Sequence, residues 1–204
     1  MADSFPACPL ALPAHPLTPD AFAASAGAAW TADGGLRFSF RLSGDLRGLR
    51  LPVPTPAARR DGLWRHTCCE AFVAARGAPA YREFNFSPAG AGAAYAFSAY
   101  RQAADELPAS APEIRVALAD EPDCGGDGGD DALAGEGRAA LRLVASVAAD
   151  CLPSAHDGLD IGLSMVVEAA DGTLSYRALR HCAERPDFHM RDSFALFLPL
   201  PPFP

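Results

Sequence analysis

Lysine is missing from this chain: all 17 basic residues are arginine, set against 25 acidic ones, for a formal net charge of -8 over 204 residues. That balance argues against nucleic acid as a partner, since phosphate binding needs clustered positive charge. The arginine-only usage goes with an abundance of alanine and carries no mechanism by itself, although arginine grips carboxylates in bidentate fashion as lysine cannot. No apolar run approaches the length of a membrane-spanning helix, so no membrane role is expected. The first residues have an acid at Asp3, no basic start, and prolines through their apolar stretch, which makes a poor secretory leader. The six cysteines (Cys8, Cys68, Cys69, Cys124, Cys151, Cys182) form no CxxC pair and no regular spacing. A reduced, cytoplasmic protein is expected, its thiols acting as small buried hydrophobes.

Signatures of common enzymes are missing as well: there is no GxSxG elbow, P-loop, Rossmann glycine pattern or HExxH. Gly125–Asp131 is a single glycine/aspartate copy without an apolar anchor, a weak calcium signal. The balance leans away from catalysis.

What is present is strand alternation. Leu63–Pro88 reads LWRHTCCEAFVAARGAPAYREFNFSP, two alternating runs joined by a Gly/Pro turn. Alternate residues of a strand point to opposite faces. The first run then groups Trp64, His66, Cys68, Glu70 and Phe72 on one face. The second groups Tyr81, Glu83, Asn85 and Ser87 against Phe84 and Phe86. A face with Trp, His, two Glu, Tyr and Asn is too polar for core and too aromatic for ordinary surface, and suits a concave ligand-binding sheet.

Further strands are expected at Leu36–Leu42, Tyr95–Arg101, Glu113–Leu118, Leu141–Val147, Ile161–Glu168, Leu174–Leu179 and Ser193–Leu198, with hairpin turns at Gly34-Gly35 and Asp171-Gly172. The alternating prolines of Leu49–Pro56 suit an extended edge or loop. Pro19–Ala29 has a modest helical look. The Gly/Asp-rich block 121–137 reads as a mobile loop. Residues 1–204 thus read as a single all-β domain, an antiparallel β-sandwich of jelly-roll or immunoglobulin-like two-sheet architecture with little helix.

LWRHTCCEAFV, YREFNFSPAGAGAAYAFSAYR, DGTLSYRALRH and RPDFHMRDSFAL resemble the bacterial DOMON-like domain family, related in fold to DOMON domains and to family 9 carbohydrate-binding modules. The resemblance covers most of the chain from about Gly34 onward. It implies that Trp64, Glu70, Tyr81, Glu83, Asn85 and Ser87 lie on ligand-face strands and that Phe72, Phe84 and Phe86 pack. Cys69 stands where the family leads one to expect a large apolar residue, and so reads as inert core. Related domains are associated with sugars in some cases and haem in others, so the ligand does not follow from the fold.

A sugar-like small molecule fits the residues themselves. Trp64 and Tyr81 offer stacking faces, and His66, Glu70, Glu83, Asn85 and Ser87 offer hydrogen-bonding partners, with Arg101 and Arg180 nearby. The competing reading pairs Glu70 and Glu83 with Arg82, Arg101, Arg177 or Arg180, and buries Trp64 as core. No metal site is expected: His66, Cys68 and Glu70, with His181, Cys182 and His189 downstream, match no zinc spacing. No cofactor is expected either, haem being the alternative through His189 or Met190, while Met165 shares the face of Ile161, Leu163 and Val167 and reads as packing. Two carboxylates on one face also admit glycoside processing. The segment Arg177–Ser193, dense in Arg, His and Asp, is expected to rim the ligand face.

Overall fold

The computed structural model describes residues 9–54, 56, 58–104, 112–120 and 139–201; the Gly/Asp-rich block 121–137 lies outside them. Twelve strands are described: β1 Leu10–Ala11, β2 Ala23–Trp30, β3 Leu36–Ser43, β4 Cys68–Ala75, β5 Tyr81–Phe86, β6 Gly92–Ala99, β7 Gln102–Ala103, β8 Glu113–Asp120, β9 Ala139–Val147, β10 Gly158–Glu168, β11 Leu174–Ala178 and β12 Leu196–Pro199. They form two antiparallel sheets, one of five strands in the order β1-β2-β3-β9-β8 and one of seven in the order β11-β10-β4-β5-β6-β7, with β12 also on β10. The all-β sandwich expected from alternation is what the chain adopts. Pro19–Ala29 is a correction: alanine propensity suggests helix, yet Ala23–Trp30 pairs along its whole length with β3. Its small side chains let that strand pack closely, and tertiary pairing overrides propensity.

The core follows parity. Leu36, Phe38, Phe40 and Leu42 of β3, and Leu141, Leu143, Ala145 and Val147 of β9, face inward from one sheet. From the other come Cys69, Ala71 and Val73 of β4, Phe84 and Phe86 of β5, and Leu159, Ile161, Leu163, Met165 and Val167 of β10. Cys69 is core, as expected, with burial pushing its thiol pKa up. Trp30 Nε1 donates to the carbonyl of Pro199 at 2.7 Å and ties the two sheets at one edge. At another edge Arg177, only 2% exposed, points inward from β11 and reaches Asp20 at 2.5 Å. That removes Arg177 as a partner for Glu70 or Glu83.

The opposite face of the seven-stranded sheet is covered by a feature of β10. One edge of β10 pairs with β4 throughout, and the other is shared: β11 takes Ser164–Glu168 and β12 takes Gly158–Ile161. Both partners run in the same direction, so they lie end to end along one edge. Residues 179–195 leave the sheet between them and fold over its outer face. Leu179 N donates to Leu163 O at the point of departure. Phe188 and Phe194 of this excursion pack in a second apolar cluster with Phe72, Ala74, Tyr81, Val166 and Ala178.

Gly162 lies at the gap. A Cβ there would sit 3.0 Å from Phe194 Cδ1 and 3.4 Å from Phe72 Cβ, so the missing side chain is what seats Phe194. Gly162→Val should therefore cost about 1–3 kcal/mol by overpacking, read as a lower denaturant midpoint with an unchanged slope. An unshifted midpoint would mean that the excursion is not seated as described.

Candidate functional site

Outer-face side chains of the seven-stranded sheet line up strand to strand. Glu70 lies opposite Ser164 on one side and Asn85 on the other; Phe72 lies opposite Gly162 and Glu83. Glu83 then faces Tyr95, and Tyr81 faces Phe97. Glu70 and Glu83 are diagonal neighbours on one face, which puts their Cβ atoms roughly 7 Å apart.

Above them lies a cavity of about 360 Å³, lined from the sheet by Glu70, Phe72, Glu83, Val166, Tyr95, Phe97 and Tyr176. Trp64 and Arg101 come from flanking turns, and Pro186, Asp187, Phe188 and His189 from the excursion. Parity extended too far at the start of the first run: Leu63–Arg65 is a 3-10 turn and the strand begins at Cys68. Trp64 is nonetheless carried to the cavity, 41% exposed and edge-on to Tyr95 at 6.0 Å. The expectation that it is core is therefore wrong.

The other candidates divide. Tyr81 and Asn85 share the face of Glu70 and Glu83 but are fully buried, outside the lining. His66 is drawn aside by Glu168, Nδ1 to Oε2 at 2.7 Å, where Arg50 binds the other oxygen at 3.0 Å. Ser87 accepts from Ala89 N within a turn, and Arg180 donates to the Asp192 carbonyl. None of these three lines the cavity. Tyr95, Phe97 and Tyr176 do, although the sequence did not single them out, and so do Asp187 and Phe188 from the segment Arg177–Ser193 expected to rim the face. Tyr95 and Phe97 were legible as same-face neighbours, but which face they shared depended on their pairing with β5.

A network holds the excursion to the sheet. Arg101, at φ 53, is a left-handed non-glycine residue after β6, a costly conformation outside glycine. Its amide donates to the Tyr81 hydroxyl at 3.1 Å, and its guanidinium donates to Asp187 at 2.9 Å. Tyr100 donates to the other Asp187 oxygen at 2.6 Å, and the His189 amide donates to Asp187 at 3.0 Å.

The Tyr81 oxygen lies 2.8 Å from His189 Nδ1. That oxygen also accepts from the Arg101 amide, so one hydroxyl joins the turn at Arg101 to the imidazole. Nε2 faces Glu83 at 3.7 Å. Burial, with the charge of Arg101, pushes the His189 pKa down to about 4, against the pull of Asp187, so the ring is neutral at pH 7.

The carboxyls are perturbed the other way. Burial, then the charge of Glu83, raises Glu70 to about 8, against a hydrogen bond from Ser164 at 3.3 Å. Glu83 is also raised by burial, offset by Asn85, which donates to it at 2.8 Å, and by Arg101. The carboxylate–arginine pairing that competes with a ligand role is not formed here. Among the described residues the only ion-pair contact of Glu83 is His189, and Glu70 has none. At neutral pH Glu70 therefore keeps its proton, and Glu83 binds its own more tightly than an ordinary carboxyl.

Met165 faces the sandwich core, Met190 is outside the lining, and both ring nitrogens of His189 face protein groups. Among the described residues, no three His, Cys, Asp or Glu side chains gather as a metal set.

No protein-family model matches the chain, and no curated protein matches it in sequence. Its fold is similar to the solved structure of a "putative carbohydrate-binding protein" from Bacteroides uniformis, with TM-score 0.60, 17% identity, and 92% of this chain and 83% of that one covered. At that identity the likeness speaks for the fold and carries no residue roles.

Two outcomes follow from the network. Tyr81→Phe removes the hydroxyl shared by Arg101 and His189 and should cost about 1–3 kcal/mol, read from denaturant midpoints. For Glu70 the folded pKa lies above its ordinary 4.5, so the native state holds the proton more tightly. That contribution is complete below pH 4.5 and is lost as pH rises through about 8. Glu70→Gln, which cannot ionise, should therefore melt close to wild type at pH 5 and above it at pH 9. His189 acts on the acid side: its depressed pKa drains stability as pH falls from 6.5 toward about 4. His189→Gln should flatten that acid limb.

Proposed function

We propose that the protein binds a small carbohydrate-like ligand in this cavity, non-covalently. The observation that carries the reading is one recess joining aromatic faces at Trp64, Tyr95, Phe97 and Tyr176 with the polar groups of Glu70, Glu83, Asp187 and His189. Pyranose rings offer apolar C–H faces to stack on aromatic rings and hydroxyls to bond carboxylates and imidazoles. The sandwich it shares with a protein described as carbohydrate-binding supports the same class. So do the motifs resembling the DOMON-like family, which bring sugar binding as one of that family's associations.

A second reading, glycoside processing, draws on the two carboxyls, Glu70 and Glu83, that enter one cavity from adjacent strands. Binding fits better, because Glu83 is held by Asn85 and faces the His189 imidazole, where a hydrolytic base must hold a water. Release of chromophore from aryl glycosides, lost in Glu83→Gln, would reverse that preference.

The test of binding is a thermal-shift panel of mono- and disaccharides, since a ligand at 100 times its Kd stabilises by about 2.7 kcal/mol. Trp64 fluorescence should respond to the same sugars. Trp64→Ala should weaken binding tenfold or more while leaving the melting temperature nearly unchanged, because the ring is already partly exposed. Absence of any shift across the panel would sink the reading.

A further inference from the structure

We propose that the ligand of this cavity carries a protonated amine, an amino sugar rather than a neutral one, and that the ammonium is held between Glu70 and Glu83. The inference rests on the carbohydrate reading and specifies its chemistry.

Four observations meet here. Two carboxyl groups, both buried, enter the same cavity from adjacent strands as diagonal neighbours. Among the described residues no arginine pairs with either: Arg101, which also lines the cavity, is bound to Asp187, and Arg177 to Asp20. The imidazole of His189, whose Nε2 lies 3.7 Å from Glu83, is neutral and supplies no counter-charge. The remaining walls are aromatic, and an ammonium is attracted to aromatic faces, the more so when both are desolvated.

Buried acids are ordinarily paired with a cation, and among the described residues none is in ion-pair contact with these two: Arg101 acts on Glu83 only through its charge while bound to Asp187. The proton on Glu70 fills that role in the free protein. An ammonium is a better counter-charge for two carboxylates, with three N–H donors to share between them. When it enters, Glu70 loses its proton to solvent, the ammonium keeps all of its own, and two carboxylates face one cation. The chain's net charge of -8 favours the approach of such a ligand.

Isothermal titration of the full chain with D-glucosamine, D-glucose and N-acetyl-D-glucosamine, and with the galacto-configured counterparts, tests this at pH 6.5. There Glu70 is protonated, His189 is neutral and the free amines are charged. At least one amine should bind ten times more tightly than its neutral and N-acetylated forms. Repeating the titration in buffers of different ionisation enthalpy should show net proton release for the amine and none for the neutral sugars. A neutral sugar binding as tightly as its amine, or an amine binding without proton release, overturns the inference and leaves the carbohydrate reading intact. No binding by any of the six overturns both. Glu70→Gln should abolish proton release and shrink the amine preference, but the wild-type comparison decides the matter even if that variant folds poorly.

Discussion

Everything in this molecule depends on the seven-stranded sheet being covered on both faces. A sheet with one dry face and one wet face tolerates polar residues at every second position without consequence. Here β4 and β10 are buried along almost their full lengths, although β4 carries Glu70 and β10 carries Ser164 and Glu168. The second cover, residues 179–195, turns ordinary solvent-facing positions into an enclosed polar surface. The raised pKa of Glu70 and the lowered one of His189 are both results of that enclosure, since burial is the largest cause of each.

The cover is held by few groups. Phe188 and Phe194 provide apolar contact, and Asp187 gathers donors from Arg101, Tyr100 and His189 around one carboxylate. The left-handed backbone at Arg101 belongs to the same arrangement. It aims the amide at Tyr81 while the guanidinium reaches Asp187, and the strain is offset by both bonds.

The sandwich was readable from alternation because its core obeys parity strand by strand. The pairing of Glu70 and Glu83 on one face was readable for the same reason. What failed was the assumption that parity continues beyond a strand: Trp64 and His66 precede β4 and owe their positions to a 3-10 turn and to Glu168. Pro19–Ala29 misled because alanine favours helix in isolation, whereas close pairing with β3 decides its conformation. Asp187 and Phe188 carry no periodic signal, since they lie in irregular chain placed by contacts distant in sequence. His189 drew notice as a metal or haem donor, and its actual partners, Tyr81 and Glu83, belong to a strand more than a hundred residues away.

The end-to-end placement of β11 and β12 separates the floor of the cavity from its cover. Both flanks of the excursion are fixed by hydrogen bonds to β10, so its length and composition can change without moving the register of any strand. Loop-closure entropy grows slowly, by about 0.6 kcal/mol for each doubling of length. The edge of β10 therefore works as a cassette slot: the carboxyl-bearing floor stays constant while the inserted segment is free to diverge. Insertion of new segments is best directed to the interval between Leu179 and Ala195.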